Sequence, residues 1–307
     1  MKMIFTGEHP QAQPDPYIFQ AEGKYFLYTT GFAGVEGYVS DAPEGAWRYL
    51  GKVLCKERMH EFWAPCVIWR DGTYYMYYSS FPEGERDTHL QSLKVAVSQS
   101  PYGPFRYAAT VVKAFAIDPH VVKSGSEYYL FYATNAYHAS RAGTYIAVDR
   151  LKDMVTAEGS PVHAIDPTLD EEIFQRDRFR KGQHWHTVEG PFYFRCGDDH
   201  FLMYSGSCYQ NEHYFVGYAH AHSKENDLRK VAFIKQPAPD VYAPLLQSDA
   251  AEEGRGHNSV LVTGEDFFIV YHARDRGERG EGDLRTARIA PMRVDGKTLS
   301  VRGSYVT

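Results

Sequence analysis

One arrangement of apolar and polar positions recurs five times along the chain. A short polar entry leads into an apolar strand, then a turn, then an aromatic-rich strand. The copies are Asp15-Pro-Tyr-Ile-Phe with Tyr25-Phe-Leu-Tyr-Thr, Ala64-Pro-Cys-Val-Ile with Tyr74-Tyr-Met-Tyr-Tyr, and Asp118-Pro-His-Val-Val with Tyr128-Tyr-Leu-Phe-Tyr. Gly190-Pro-Phe-Tyr-Phe with His200-Phe-Leu-Met-Tyr and Asn258-Ser-Val-Leu-Val with Phe267-Phe-Ile-Val-Tyr complete the set. Between the two strands of each copy stands a turn signal: Glu22-Gly23, Asp71-Gly72, Ser124-Gly125, Gly197-Asp198 and Gly264-Glu265. Such turns between apolar runs predict β-hairpins.

The aligned positions Pro16, Pro65, Pro119, Pro191 and Ser259 lie 49, 54, 72 and 68 residues apart. That leaves room for about four strands per unit, the size of a propeller blade. Further strands are legible after the hairpins, such as Leu93-Lys-Val-Ala-Val-Ser and Tyr214-Phe-Val-Gly-Tyr-Ala. The predicted fold is all-β, a five-bladed β-propeller forming one domain over residues 1–307. Shared internal offsets favour it over a sandwich of similar hairpins. Two stretches exceed the repeat: residues 151–187, read as a short helix or decorated loop, and residues 275–283, read as a hairpin tip.

Composition narrows the partners. The 307 residues are 43% hydrophobic, enough for a large core, and carry a net charge of -6. No basic stripe suggests a nucleic-acid surface, and no run of 18 apolar residues predicts a membrane span. A small oligosaccharide fits this balance better than a phosphate polymer. The 24 Tyr and 18 Phe suit strands, and in a cleft they supply flat faces with polar tips. The N-terminus lacks an apolar signal-peptide region, so a cytoplasmic location is expected. Cys55, Cys66, Cys196 and Cys208 form no C-x-x-C pair and are expected as free thiols.

The repeat also organises the charge. Residues at one repeat position of a propeller share height and radius. Ala64, Gly190 and Asn258 are neutral at the entry position, but Asp15 and Asp118 are acidic, and Glu189 precedes the fourth entry. Three carboxylates then face one mouth of the axial channel. Mutual repulsion makes this a poor choice for a core, whereas carboxyls with divergent pKa values are what glycoside hydrolysis uses. Blades one and four of five are about 144° apart. Carboxyls ~4–5 Å from the axis would stand roughly 8 Å apart, inside the ~6.5–9.5 Å window that leaves room for a water.

Asp15-Pro16, Ile117-Asp-Pro-His120 and Val188-Glu-Gly-Pro-Phe192 resemble the three catalytic motifs of glycoside hydrolase family 43. Phe62-Trp-Ala-Pro65 and Gly256-His-Asn-Ser259 resemble its other inner-strand motifs. The resemblance covers nearly the whole chain. It implies a general base at Asp15, a general acid at Glu189, and at Asp118 a carboxylate that orients and tunes the acid. It further implies inversion at C1 of a terminal sugar. Sister sucrose-cleaving propellers open with a Trp-Asn-Asp-Pro type motif, and Gln13-Pro14-Asp15-Pro16 departs from it.

The same resemblance suggests Arg285, rather than Arg274, as the arginine reaching the bound sugar, and Trp63 as a pocket floor. It places His257 at the axis, near a water or a structural Ca²⁺ contacted through water. No cofactor is required for the reaction. Trp185 and His186, just before the acid, are expected to wall the pocket; Phe32 and His120 are weaker candidates. His184-Trp-His186 has no partner at zinc-motif spacing. The expected activity is exo-acting release of α-L-arabinofuranose, with β-D-xylose next, from short oligosaccharides. The rival readings are a glycoside phosphorylase, which needs several cleft cations, and a non-catalytic carbohydrate-binding propeller, which has no use for an acid beside a base.

Overall fold

A computed structural model describes residues 2–3, 12–56, 58–278 and 281–301. Within them the chain is all-β, with three short 3₁₀ turns and no α-helix, in a β-propeller arrangement. The strands fall into five sheets. Their inner hairpins are Tyr17–Ala21 with Lys24–Thr29, Met59–Arg70 with Thr73–Pro82, Ile117–Ser124 with Glu127–Ala136, Val188–Cys196 with Asp199–Gly206, and Glu252–Thr263 with Asp266–Asp275.

The hairpin turns follow their chemistry. Glu22-Gly23 and Asp71-Gly72 have positive φ at both residues, as a two-residue turn matched to strand twist demands. In the third hairpin Ser124 pairs with Glu127, so the turn is Gly125-Ser126, one residue later than expected. Glycine at the first turn position explains the shift, since Gly125 has φ 60°.

The continuous apolar runs of the second strands reflect burial on both faces. Phe26 and Tyr28 pack against the second sheet with Phe62 and Met76, while Leu27 between them packs against Val270 and Ile289 of the fifth. Tyr129 and Phe131 likewise join the fourth sheet, and Leu130 and Tyr132 the second. A further cluster links the fourth and fifth sheets through Phe201, Met203, Ile269 and Tyr271. Alternate side chains of one strand thus bond it to two neighbouring sheets.

The predicted four strands per sheet hold for the first, second and fourth sheets. The third has seven and the fifth five. In the fifth, the N-terminal Lys2–Met3 pairs with Ile289 and Arg288 of Thr286–Asp295. In the third, residues 151–187 add short strands, including Ile173–Gln175 and Trp185–His186. The alternative of a short helix there is not met beyond the single turn Asp170–Glu172. That turn is anchored by its fully buried Glu172, whose Oε1 lies 2.5 Å from Lys235 Nζ. Lys235→Met is expected to destabilise the fold by about 3–5 kcal/mol, because the carboxylate loses its buried partner; urea unfolding measures it, and a loss below ~1 kcal/mol would show a solvated pair. Of the predicted hairpin tip at 275–283, residues 279 and 280 lie outside the described residues.

Candidate active site

One backbone irregularity builds the site. Trp63 pairs with Ser79 and Cys66 with Tyr77, so Ala64 and Pro65 together oppose Tyr78. The same two-against-one step recurs at Asp118-Pro119, Gly190-Pro191 and His257-Asn258. These are β-bulges, which bend a strand and re-aim a side chain. The first bulge residue is left-handed each time: φ is 46° at Ala64, 58° at Asp118, 58° at Gly190 and 46° at His257. Asp15, heading the first inner strand, has φ 54°. Non-glycine residues held there cost about 1–3 kcal/mol each, a strain found where function requires it. The fifth repeat therefore enters at His257 and not at Asn258. Asn258 takes the place of the prolines and is buried, its Nδ2 3.2 Å from Met203 Sδ.

Asp15, Asp118, Glu189 and His257 line one cavity of about 1030 Å³. Residues of four sheets contribute to it, together with Asp15 and Thr30 at the ends of the first sheet's inner strands. Asp15 is the most heavily supported of the carboxyls. Thr30 Oγ1 donates to its Oδ2 at 2.6 Å, and the Ala64 amide donates to Thr30 Oγ1 at 2.7 Å. His257 Nδ1, His272 Nδ1 and Arg285 Nη1 lie 3.3, 3.4 and 3.5 Å from its Oδ1. Burial pushes the Asp15 carboxyl up, but His257, His272 and Arg285 outweigh it and hold the group well below the ordinary carboxylate range. Burial also pushes both histidines down, His272 to about 4. At neutral pH the lasting cation is therefore Arg285. The Asp15 amide donates to His272 Nδ1 at 3.1 Å.

Glu189 and Asp118 are biased the other way. Burial pushes the Glu189 carboxyl up to about 7, with Asp15 adding to the rise, while the hydrogen bond from Tyr214 and the charge of Arg285 oppose it. Asp118 is raised well above its ordinary value by burial, then by Glu189 and Asp15. Its Oδ2 accepts from the Gly190 amide at 2.9 Å, so the residue after Glu189 holds Asp118 in place. The two carboxyls titrate as a pair, and ionisation of one suppresses ionisation of the other. The Tyr214 hydroxyl donates to Glu189 Oε1 at 2.8 Å. Tyr214 fits only because residue 256 is glycine: a Cβ there would lie 1.8 Å from Tyr214 Cε1. Its hydrogen bond favours the Glu189 carboxylate, so Tyr214→Phe should raise the Glu189 pKa. The limb on which kcat/KM falls with rising pH then moves to higher pH; a shift to lower pH would contradict the contact's assigned effect.

Comparison with known proteins fits this arrangement. The model for glycosyl hydrolases family 43 matches residues 9–298. The chain belongs to that family. It is 27% identical over 215 residues to arabinan endo-1,5-alpha-L-arabinosidase A of Aspergillus niger, covering 63% of this chain and 58% of that one. It is 24% identical over 298 residues to the extracellular exo-alpha-(1->5)-L-arabinofuranosidase of Streptomyces avermitilis, covering 89% of this chain and 57% of that one. The chain thus spans under three fifths of the length of these relatives. A crystal structure of a thermostable family-43 glycoside hydrolase superposes with a TM-score of 0.78 at 28% identity, covering 95% of this chain and 93% of that one.

Against the family resemblance, the site residues sort as follows. Trp63, Trp185 and Arg285 line the cavity, and Phe32 does so from an exposed position, its ring edge-on to His60. His186 does not line it, which corrects the expectation. Successive strand residues face opposite sides, so Trp185, Thr187 and Glu189 face the cavity while His186 faces away, its Nε2 3.0 Å from Arg141 Nη1. His120 is also interior: it packs against Phe192, and its Nε2 lies 3.1 Å from the Tyr193 carbonyl. Arg274 shares the cavity wall, but its Nε faces Glu253 at 3.7 Å, whereas Arg285 reaches Asp15.

Among the described residues no group of three His, Cys, Asp or Glu side chains is arranged to hold a metal, and His257 is turned to Asp15. Cysteines 55, 66, 196 and 208 are free thiols. Sequence reading missed Thr30, Tyr214, His272 and Glu61. Glu61 lines the cavity from a left-handed backbone (φ 54°) and accepts the Trp63 indole N–H at 2.8 Å.

Proposed function

We propose that this chain is an inverting glycoside hydrolase, a single domain whose five sheets are five propeller blades around one axis. Asp15 acts as general base on water and Glu189 as general acid to the leaving oxygen, with Asp118 holding the proton balance of Glu189. The observation that carries the reading is the opposite bias of two half-buried carboxyls in one cavity: Asp15 held ionised, Glu189 pushed up to about 7 so that a large share keeps its proton near neutrality. Water attacks C1, passing its proton to Asp15, as the C1–O bond breaks and Glu189 protonates the departing oxygen. No cofactor enters these steps.

Arg285, beside Asp15, is placed to orient the sugar bound at the point of cleavage, and Trp63, pinned by Glu61, to give it a flat wall. The relatives named for arabinan and arabinofuranose support a terminal α-L-arabinofuranose as substrate, with β-D-xylose next. Exo action on short oligosaccharides is our reading of the mode. Beside Asp15, where the acceptor would stand, Arg285 already faces Asp283, and Arg274 faces Glu253, which favours water over phosphate as acceptor. A panel of nitrophenyl glycosides, followed by linear arabinan, tests the reading. Release of monosaccharide without early loss of chain length is expected. Rapid random shortening of the polymer would overturn exo action, and no turnover of any pentoside would overturn the substrate class.

A further inference from the structure

The insertion in the third sheet carries a chemistry that the hydrolytic machinery does not use. Residues 176–181, Arg-Asp-Arg-Phe-Arg-Lys, hold four cations and one acid in a chain whose net charge is -6. Charge runs are commonly solvated surface, and Arg176, Arg180 and Lys181 are exposed here. Arg178 is different. It is half-buried and lines the catalytic cavity, with its guanidinium 4.8 Å from the Trp185 ring centroid. The one acid of the segment is already engaged: Asp177 Oδ1 accepts from the Gly182 amide at 2.6 Å and lies 3.7 Å from His184 Nδ1. Among the described residues Arg178 makes no ion pair, whereas the other cavity arginines, Arg274 and Arg285, face carboxylates.

The position of Arg178 says which part of a substrate it meets. Trp185 precedes Glu189 by four residues on the same side of an extended segment, with Thr187 between them in the wall. In the proposed function Glu189 protonates the leaving oxygen. The wall around it therefore contacts the leaving group and not the sugar being released. A guanidinium stacked on an indole is held flat, and its N–H fork matches a carboxylate in two-point geometry. Glu189 in its protonated form does not repel an anion there.

We propose that Arg178, braced on Trp185, forms a leaving-group subsite for a sugar that carries a carboxylate, a uronic acid. The inference rests on the hydrolase reading above and names the substrate feature that this site selects. Arg178 is a specificity residue, and neutral oligosaccharides are accepted less well.

The test compares two substrates that differ only in charge: an arabinofuranosyl disaccharide whose leaving sugar is galacturonic acid, and its methyl ester. Wild-type kcat/KM should favour the acid about tenfold, equivalent to ~1.4 kcal/mol, mostly through KM. The preference should shrink as salt is raised. In Arg178→Gln the ratio should fall to near one, and Arg178→Lys should keep part of it, having charge without the fork. The ratio within each variant is unaffected by the fraction of enzyme that folds. Equal rates on both substrates in the wild type, or a preference that survives Arg178→Gln, overturn the subsite while leaving the hydrolase intact. Turnover of neither substrate, nor of any nitrophenyl pentoside, overturns both.

Discussion

Replacing Glu189 with Gln is expected to lower kcat/KM on an unactivated arabino-oligosaccharide by about 10²–10⁴-fold, the usual worth of general acid–base assistance. The amide keeps the size of the side chain and can still meet the Tyr214 hydroxyl, but it has no proton to give. A dinitrophenyl arabinoside should lose far less, because its leaving group departs without protonation. The pH profile adds a second reading. With Glu189 pushed up to about 7 by burial, wild-type kcat/KM falls as pH rises through that region, where the acid form is depleted. Asp15, held below the ordinary carboxylate range, stays ionised through the mildly acidic range and limits activity only at lower pH. Glu189→Gln should therefore remove the high-pH limb. Near-full activity of this variant on the oligosaccharide would show that another group supplies the proton.

Asp15→Asn should depress both substrates alike, again by about 10²–10⁴-fold. Water must be activated whatever leaves, so leaving-group quality cannot compensate. The substitution keeps the shape at a left-handed position (φ 54° in the native chain), which asparagine tolerates better than most residues. Arg285 retains Asp283 as a partner at 2.6 Å, so loss of the Asp15 charge does not strand it. Asp15→Ala opens space beside C1, and azide, which attacks without a base, should restore part of the turnover on the activated substrate as a glycosyl azide. Asp118→Asn should fall between wild type and these variants, since the proposed mechanism gives Asp118 the role of biasing Glu189 and no proton to transfer. A loss at Asp15 confined to poor leaving groups would exchange the roles of base and acid.

The parts of the architecture legible in the sequence are those with local causes. Two-sided burial writes continuous aromatic runs, and two-residue turns demand glycine, so the five hairpins could be placed from pattern alone. Asp15, Asp118 and Glu189 were legible for the same reason: proline follows the left-handed entry residue in the first four repeats. The fifth bulge carries Asn258 where the others carry proline, and without that mark its entry residue, His257, is one place off the apparent alignment. The orientation of His186 follows from counting in twos back from Glu189, which separates it from Trp185. Thr30, Tyr214 and His272 had no such signal. Their roles come from cross-sheet contacts, Tyr214 reaching Glu189 over the glycine at 256 and Thr30 joining Asp15 to Ala64. The insertion at 151–187 was obscure because its strands are too short to show alternation and its ion pair, Glu172 with Lys235, spans 63 residues.

The central claim is that Asp15 delivers water directly to C1 while Glu189 protonates the leaving oxygen, with no covalent sugar intermediate. Proton NMR of a fast reaction on an α-L-arabinofuranoside reads this directly from the anomer formed first. Single displacement predicts β-L-arabinofuranose as the initial product, with the α form growing in only as the sugar mutarotates. Initial appearance of the α anomer would mean two displacements and a carboxylate nucleophile, and would contradict the account.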